Sequence, residues 1–429
     1  MKHLLKILLF LFLLWWPVSY ALHFSTGSPL HGEFTAAGDV QWNWADWQEG
    51  KYQEGKEKFL NENFTQRNTA VRLHNEIIFH AFDKAQSRST IVGRSGYVFG
   101  KDYIDSWFGF DFIGSRRIKT NIQKLELIRD SLKAHGTDLL LVVEPGKGSF
   151  YHEFFPSYSD GWKKDSTNYE TYVHLLKGSR IPLIDMNSWF LKLKENSPYT
   201  LYTKTGIHWS DYGMTLAMDS LIHYIEQMRH IDMPDMTIRS LRKDSVSEGD
   251  MDVEMGMNLL FGIPKPPMVY PVIDFNEEKK AKPHVIVIGD SFFWQPLSSG
   301  LAAREFAELE FWYYFYQVNF AYQRAAEDPP SEKIPRMLKQ DVVILMCSDA
   351  KLSNLGWGFI DVLCDEFVNS TLIQKRKDEE RVHFFEDKIR KDANWLEQVR
   401  QKAIKNKVSL DEMIHEDAVY LLNEEKKNH

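Results

Sequence analysis

The chain has 429 residues, 43% of them hydrophobic, which is enough to form one large domain with extensions or two domains. Its formal net charge of -8 argues against a broad nucleic-acid-binding surface. The 13 tryptophans and 18 tyrosines would suit stacking on sugar faces, although a large aromatic core accounts for them more simply.

Residues 1–22 predict export from the cytoplasm. Lys2 and Lys6 precede an uncharged apolar stretch that reaches Leu22 and ends in small residues that suit signal peptidase. The stretch is also nearly long enough to span a bilayer, with Trp15 and Trp16 as interface anchors. A cleaved signal peptide and a signal anchor therefore both remain open, and either one places the rest of the chain outside the cytoplasm.

Residues 23–114 are predicted to form an N-terminal helical and hairpin region. Apolar residues recur at roughly helical spacing between Phe59 and Ile78. The sequence GRSGYVF at residues 93–99 then predicts a short hairpin with its turn at Ser95 and Gly96.

Residues 115–364 alternate between predicted helices and short apolar strands. IQKLELIRDSLKAHG is an amphipathic helix that stops at Gly136, and MTLAMDSLIHYIEQM is another helix. The predicted buried strands are DLLLVVEP, PLIDM, HVIVIGDS and DVVILMCSDA. This alternation predicts an α/β fold, a parallel sheet with helices on both faces. Residues 230–283 are expected to be inserted loops, and residues 365–429 a charged helical C-terminal extension.

Ser291 is the first candidate for chemistry. It follows a buried strand and enters a predicted helix, the place where open α/β sheets bind ligands. Backbone N–H groups at such a helix start can stabilise an oxyanion. Simple capping of the helix by Asp290 or Ser291 explains the same residues.

His208 is the second candidate, because a serine hydroxyl needs a base to remove its proton. It lies in a predicted loop just before a helix, and Asp211 is the expected N-cap of that helix. Lys147 follows a strand within a glycine-containing loop that lacks the spacing of a phosphate-binding loop. Lys147, Trp209 and Tyr202 are candidates for substrate contacts, although the stem of Lys147 would equally pack under the sheet.

The sequence contains no CxxC or HExxH pattern, so we expect no metal site. Cys347 and Cys364 are the only cysteines and are too few for a disulfide scaffold. Whether they pair stays open.

Four short motifs occur in an order that resembles a known family. They are GRSGYVF (93–99), EPGKGSFYHEFFP (144–156), YTKTGIHWSDYG (202–213) and VIGDSFFW (287–294). Over roughly residues 28–360 the chain resembles SGNH-hydrolase-like proteins of the alginate O-acetyltransferase type, which modify exopolysaccharides in the bacterial periplasm. The resemblance implies an SGNH-like fold with permuted order, in which the base His208 precedes the nucleophile Ser291.

The resemblance also implies an activity and partners. The expected protein is an exported O-acetyltransferase that moves acetyl groups to polysaccharide hydroxyls through a serine acetyl-enzyme. A membrane-bound O-acyltransferase would supply the acetyl groups, and no soluble cofactor is implied. The N-terminus would place the chain on the inner membrane or free in the periplasm. An SGNH-type esterase that removes acetyl groups, or a non-catalytic polysaccharide-binding or assembly protein, would use the same fold.

The sequence departs from this family at one decisive position. Gly206 stands where the family has the aspartate that orients the histidine. Three solutions are open: a carboxylate from the inserted loops, where Asp250 and Asp252 lie two residues apart; a backbone carbonyl in a Ser-His dyad; or loss of activity. An ordinary solvated acidic turn explains Asp250 and Asp252 nearly as well.

Overall fold

The structure is a computed structural model and describes residues 2–22, 28–32, 35–87, 89–320, 323–324 and 330–427. The chain divides into two compact units, Met1–Gly358 and Phe359–His429. Helices and strands are numbered in chain order. The helices of the first unit are α1 Lys2–Ala21, α2 Trp44–Gln48, α3 Lys51–Asn63, α4 Arg67–Phe82, α5 Lys101–Phe108, α6 Ser115–Ala134, α7 Lys147–Phe150, α8 Asn168–Leu176, α9 Met186–Lys194, α10 Asp211–Arg229, α11 Asp252–Met257, α12 Trp294–Ser298, α13 Leu301–Glu305 and α14 Pro330–Met337.

The strands also belong to the first unit. They are β1 Thr90–Val92, β2 Val98–Gly100, β3 Asp138–Glu144, β4 Leu183–Asp185, β5 Asp235–Asp244, β6 Met268–Asn276, β7 Val285–Gly289, β8 Leu309–Tyr313, β9 Gln317–Phe320, β10 Gln323–Arg324 and β11 Val342–Ser348. β1 and β2 form the hairpin predicted around Ser95 and Gly96.

Seven strands form the central sheet, in the order β10-β9-β8-β7-β11-β3-β4. The five from β8 to β4 run parallel, as predicted, and β9 and β10 extend one edge antiparallel. The turn between β8 and β9 was not predicted. Its residues Tyr314 and Phe315 adopt positive φ angles of 52° and 61°, and neither is a glycine or asparagine, the residues that usually indicate such a turn.

Helices cover both faces of the parallel strands, which explains why β7 and the interiors of β3 and β11 are apolar. All residues of β7 and β11 are buried. One face packs on α9 and α10 in a core that includes Leu140, Val142, Val285, Val287, Ile344, Phe190, Met218 and Leu221. The α/β fold class with helices on both faces is therefore confirmed.

Parallel pairing sets the carboxyl ends of the central strands side by side. Ser348 pairs with Glu144 across β11 and β3, and Gly289 pairs with Tyr313 across β7 and β8. Residues that follow these strands therefore meet at one edge of the sheet, and this is the edge at which open α/β sheets bind ligands.

Residues 230–283 contain more regular structure than the predicted loops. β5 and β6 form an antiparallel ribbon with a register shift between Ile238 and Ser240, and α11 lies between the two strands in sequence. β6 contacts α10. Charged residues on β5 and a proline, Pro271, on β6 obscured this ribbon in the sequence.

The second unit consists of α15 Phe359–Lys391, α16 Ala393–Asn406 and α17 Leu410–Lys427. Its helices share a small core of their own around Ile389, Val399 and Ile414. Cys347 lies in the first unit and Cys364 in the second, and both side chains are buried.

The N-terminal apolar stretch forms α1, on which leucines and other large apolar side chains are exposed. Within the described ranges, no helix combines the length and the apolarity needed to cross a membrane.

Candidate active site

Ser291 begins a 3₁₀ turn, Ser291–Phe293, directly after β7. Asp290 is the N-cap of this turn, and its Oδ1 accepts a hydrogen bond from the Phe292 N–H at 3.1 Å. Its Oδ2 accepts another from the Ser348 N–H at the end of β11, also at 3.1 Å. Asp290 therefore supplies the capping that the sequence allowed, and the Ser291 hydroxyl is left for another partner.

His208 lies just before α10, in a segment fixed on both sides. Tyr202 and Trp209 form an isolated antiparallel bridge, and Ser210 caps the helix by accepting a hydrogen bond from the Gly213 N–H at 3.0 Å. The expectation that Asp211 caps the helix is wrong by one residue. Asp211 is the first helical residue, and its carboxylate accepts from the Gln295 side chain at 3.2 Å.

Ser291, His208 and Asp252 form one chain of hydrogen-bonding groups. His208 Nε2 lies 2.8 Å from Ser291 Oγ, and His208 Nδ1 lies 2.9 Å from Asp252 Oδ2. Ser291 and Asp252 lie 83 and 44 residues from His208 in the sequence, so only tertiary folding brings the three residues together. Side-chain exposure is 16% for His208 and 35% for Asp252, which leaves a solvent path to the site.

The Asp252 carboxylate is held on both of its oxygens. Oδ2 faces the imidazole, while Oδ1 accepts from the backbone N–H groups of Ile207 at 2.9 Å and Val253 at 2.8 Å. Burial opposes ionisation, but His208 and these two N–H groups outweigh it and lower the Asp252 pKa. The carboxylate is therefore ionised at neutral pH and suited to orient and stabilise an imidazolium.

Asp250, the other candidate acid, faces elsewhere. Its Oδ2 accepts from the Tyr270 hydroxyl at 2.9 Å and the Ser247 hydroxyl at 3.0 Å, and the residue is 1% exposed. Burial raises its pKa to about 6. Of the two acids that sequence analysis left open, Asp252 is the one that contacts His208.

Gly206 leaves no room for the family's aspartate. A Cβ atom at this position would lie 2.6 Å from the Asp250 carbonyl oxygen and 2.6 Å from Thr203 Oγ1. Real Cβ contacts are essentially never this short. The loop that carries Asp252 thus packs against the space that a side chain at 206 would need, so the missing aspartate and the replacement carboxylate are parts of one arrangement.

The candidate substrate residues Lys147, Trp209 and Tyr202 are all fully buried, at 0% exposure. Lys147 Nζ donates to the carbonyl oxygens of Lys204, at 2.9 Å, and Gly206, and burial lowers its pKa to about 7. The Tyr202 hydroxyl donates to the Ile207 carbonyl at 2.9 Å. In this conformation Lys147 and Tyr202 support the loop before His208, and none of the three side chains is exposed.

One buried acid near the site was missed by sequence analysis. Glu144, at the end of β3, is 0% exposed, and neither of its carboxyl oxygens accepts a hydrogen bond from an N–H or hydroxyl group of the described residues. Burial, and next the nearby charge of Asp290, raise its pKa well above its usual range. A glutamate that ends a buried strand carries no signal in the sequence that separates it from a surface residue.

Residues 111–298 match the family described as the SGNH hydrolase-like domain of acetyltransferase AlgX. Three of the four motifs that carried the resemblance lie inside this segment, and GRSGYVF lies just before it. The resemblance to SGNH-hydrolase-like proteins of the alginate O-acetyltransferase type is thereby confirmed.

Three solved structures are similar to the chain over about two thirds of its length. The O-acetyltransferase domain of Pseudomonas putida AlgJ is 15% identical with a TM-score of 0.40, covering 65% of this chain and 99% of that domain. Pseudomonas aeruginosa AlgX is 13% identical with a TM-score of 0.40, covering 63% and 66%. Bacillus cereus PatB1 is 13% identical with a TM-score of 0.42, covering 63% and 99%. No curated protein sequence matches the chain significantly.

Proposed function

We propose that this chain, which carries an SGNH hydrolase-like domain of the AlgX acetyltransferase family, transfers acetyl groups to hydroxyls of an extracellular polysaccharide. The observation that supports this proposal most directly is the hydrogen-bonded series Ser291, His208 and Asp252, with separations of 2.8 Å and 2.9 Å. Nucleophile, base and base-orienting acid are the groups that acyl transfer needs.

In the first half-reaction, Ser291 Oγ attacks the carbonyl carbon of an acetyl donor while His208 Nε2 takes the hydroxyl proton. The new oxygen–carbon bond forms a tetrahedral intermediate that carries the negative charge on the former carbonyl oxygen. The donor's leaving group then departs with the proton from the imidazolium. Asp252 keeps Nδ1 protonated throughout and stabilises the transient positive charge.

In the second half-reaction, a sugar hydroxyl attacks the acetyl-serine ester. His208 now removes the proton from the sugar hydroxyl, a new ester bond forms to the sugar oxygen, and the bond between acetyl carbon and Ser291 Oγ breaks. The serine oxygen recovers the proton from His208. Asp250 takes no part in either step, because its carboxylate is engaged with Tyr270 and Ser247.

The cellular setting is proposed from the N-terminal sequence and the family. The two lysines and the apolar stretch that ends at Leu22 support export to the periplasm. A membrane-bound O-acyltransferase is the proposed source of acetyl groups, because the periplasm offers no soluble activated acetyl donor.

The test uses the exported chain with an activated acetyl ester as donor and oligosaccharides as acceptors. We expect Ser291-dependent acetate release, with acetyl groups diverted onto sugar when an acceptor is present, as detected by mass spectrometry of the acceptor. Ser291→Ala should abolish both, and Ser299→Ala, which changes another serine in the turns that follow, should abolish neither. Acetate release without any acetylated sugar across several acceptors would identify an esterase instead, and wild-type turnover equal to that of Ser291→Ala would refute catalysis.

A further inference from the structure

A cleft of about 670 Å³ lies away from the triad residues, between the end of α4 and the β1–β2 hairpin. Its volume falls in the range of about 300–1,000 Å³ that is typical of ligand sites. The GRSGYVF motif, which the catalytic site does not use, lines this cleft with Gly93, Arg94, Ser95 and Gly96. The motif therefore lines a surface that does not include Ser291, His208 or Asp252.

The walls of the cleft combine exposed aromatic rings with hydrogen-bonding groups. Phe82 and Tyr158 line the cleft, and each is 60% exposed. Lys84 and Lys204 offer donors, and Asp83 offers acceptors. Sugars present apolar C–H faces that stack on rings, and hydroxyls that both donate and accept, so this mixture matches a sugar better than it matches a purely apolar ligand.

The motif backbone is shaped to form this wall. Ser95 and Gly96 turn through positive φ angles of 56° and 74°. Gly93 has no space for a side chain, since a Cβ atom there would lie 2.2 Å from the Phe154 carbonyl oxygen. The hairpin is also tied to the catalytic loop, because the Val98 N–H donates to the Lys204 carbonyl at 3.2 Å, four residues before His208.

A row of exposed rings continues the cleft across the surface. Tyr158 lies 5.7 Å from Trp162 between ring centroids, and Trp162 lies 5.4 Å from Phe110. Trp162 is 40% exposed and Phe110 is 57% exposed. Three neighbouring accessible rings present a surface longer than one small molecule needs, and an extended polymer would use all of it.

We propose that this cleft and the adjoining rings of Tyr158, Trp162 and Phe110 form a glycan exosite, a surface that holds a segment of the polysaccharide outside the catalytic centre. The proposal rests on the proposed function, since the bound chain is the acceptor of that reaction. The exosite binds sugar rings by stacking and hydroxyl hydrogen bonds, and it raises the local concentration of acceptor hydroxyls near the acetyl-enzyme.

The experiment measures binding on the Ser291→Ala chain, so that its outcome does not depend on transfer. The probes are β-1,4-linked oligosaccharides with neutral, N-acetylated and uronate sugars, each as a dimer and as an octamer, titrated by calorimetry. The test variant adds Phe82→Ala and Tyr158→Ala. The matched control adds Tyr420→Ala, which removes a tyrosine of similar exposure, 63%, from the second unit.

We expect at least one octamer to bind, the Phe82/Tyr158 variant to lose about tenfold or more in affinity, and the Tyr420 control to be unchanged. With Ser291 restored, the same double substitution should leave acetate release from the small ester within about twofold of wild type, which also shows that the fold is intact, while acetylation of the octamer falls more than acetylation of the dimer.

Two outcomes would overturn the exosite. One is an octamer affinity that is equal in the test variant and the control. The other is that no octamer binds. Ring-dependent octamer binding by a chain that shows no Ser291-dependent turnover would sustain the exosite and refute the transferase. Transferase activity together with octamer binding that does not depend on the rings would support the transferase and refute the exosite.

Discussion

Replacing Asp252 with asparagine should nearly abolish turnover, and the structure shows why the change is so damaging. The Oδ1 atom accepts from two backbone N–H groups, those of Ile207 and Val253, while Oδ2 faces His208 Nδ1. An asparagine has one acceptor oxygen and one donor NH₂ group. The two backbone donors require the oxygen, so the NH₂ group is directed at the imidazole.

This orientation reverses the histidine tautomer. With a donor facing it, Nδ1 becomes the acceptor and Nε2 carries the proton, so Nε2 is unable to take the proton from Ser291. The lost charge-assisted bond contributes about 1.5–3 kcal/mol, and the tautomer reversal adds to it. Together we expect kcat/KM to fall by about 10³ to 10⁴, equivalent to about 4–5.5 kcal/mol of transition-state stabilisation.

The assay is the initial rate of acetate release from an activated acetyl ester across neutral pH. Asp250→Asn is the matched control, because it makes the same chemical change two residues away on a carboxyl group that contacts Tyr270 and Ser247. We expect the control to keep its rate within about tenfold. If Asp252→Asn retains most of the activity, or if Asp250→Asn is the more damaging change, then Asp252 is not the acid that orients His208.

Two further predictions test the surroundings of the site, and a third tests a buried acid elsewhere in the first unit. Gly206→Asp should lower activity by more than about tenfold, because its side chain would displace the Asp250 backbone. For the same reason it should not restore activity to Asp252→Asn. Recovered activity in the double variant would show that this loop moves without loss of function. Lys147→Met should lower the free energy of unfolding by about 2–4 kcal/mol in urea denaturation and lower kcat, because two carbonyl groups lose their buried donor; an unchanged midpoint would contradict that role. Glu305 is 0% exposed, and burial raises its pKa to about 8, above the unfolded value. Its contribution to stability is therefore largest when it is protonated and declines as pH rises from about 4.5 to about 8, so Glu305→Gln should raise Tm more at about pH 9 than at about pH 5, and an equal shift at both pH values would count against it.

The sequence by itself was sufficient to predict the elements that repeat a local pattern. The buried strands β3, β7 and β11 are apolar runs that end in turns, and α10 follows a clear helical period, so each was predicted close to its observed bounds. The sequence also predicted the order of His208 and Ser291 and the position of Ser291 after β7, because a serine at the carboxyl end of a strand is a local feature.

Only the tertiary structure decided which groups act together. Asp250 and Asp252 look alike in the sequence, and only the packing of their loop against Gly206 directs Asp252, and not Asp250, to the imidazole. Packing likewise buried Lys147, which the sequence offered as a substrate contact. The physical reason is the same in each case: hydrophobic patterning and turn chemistry act over a few neighbouring residues, whereas the direction of a side chain toward a partner 44 residues away depends on how whole elements pack.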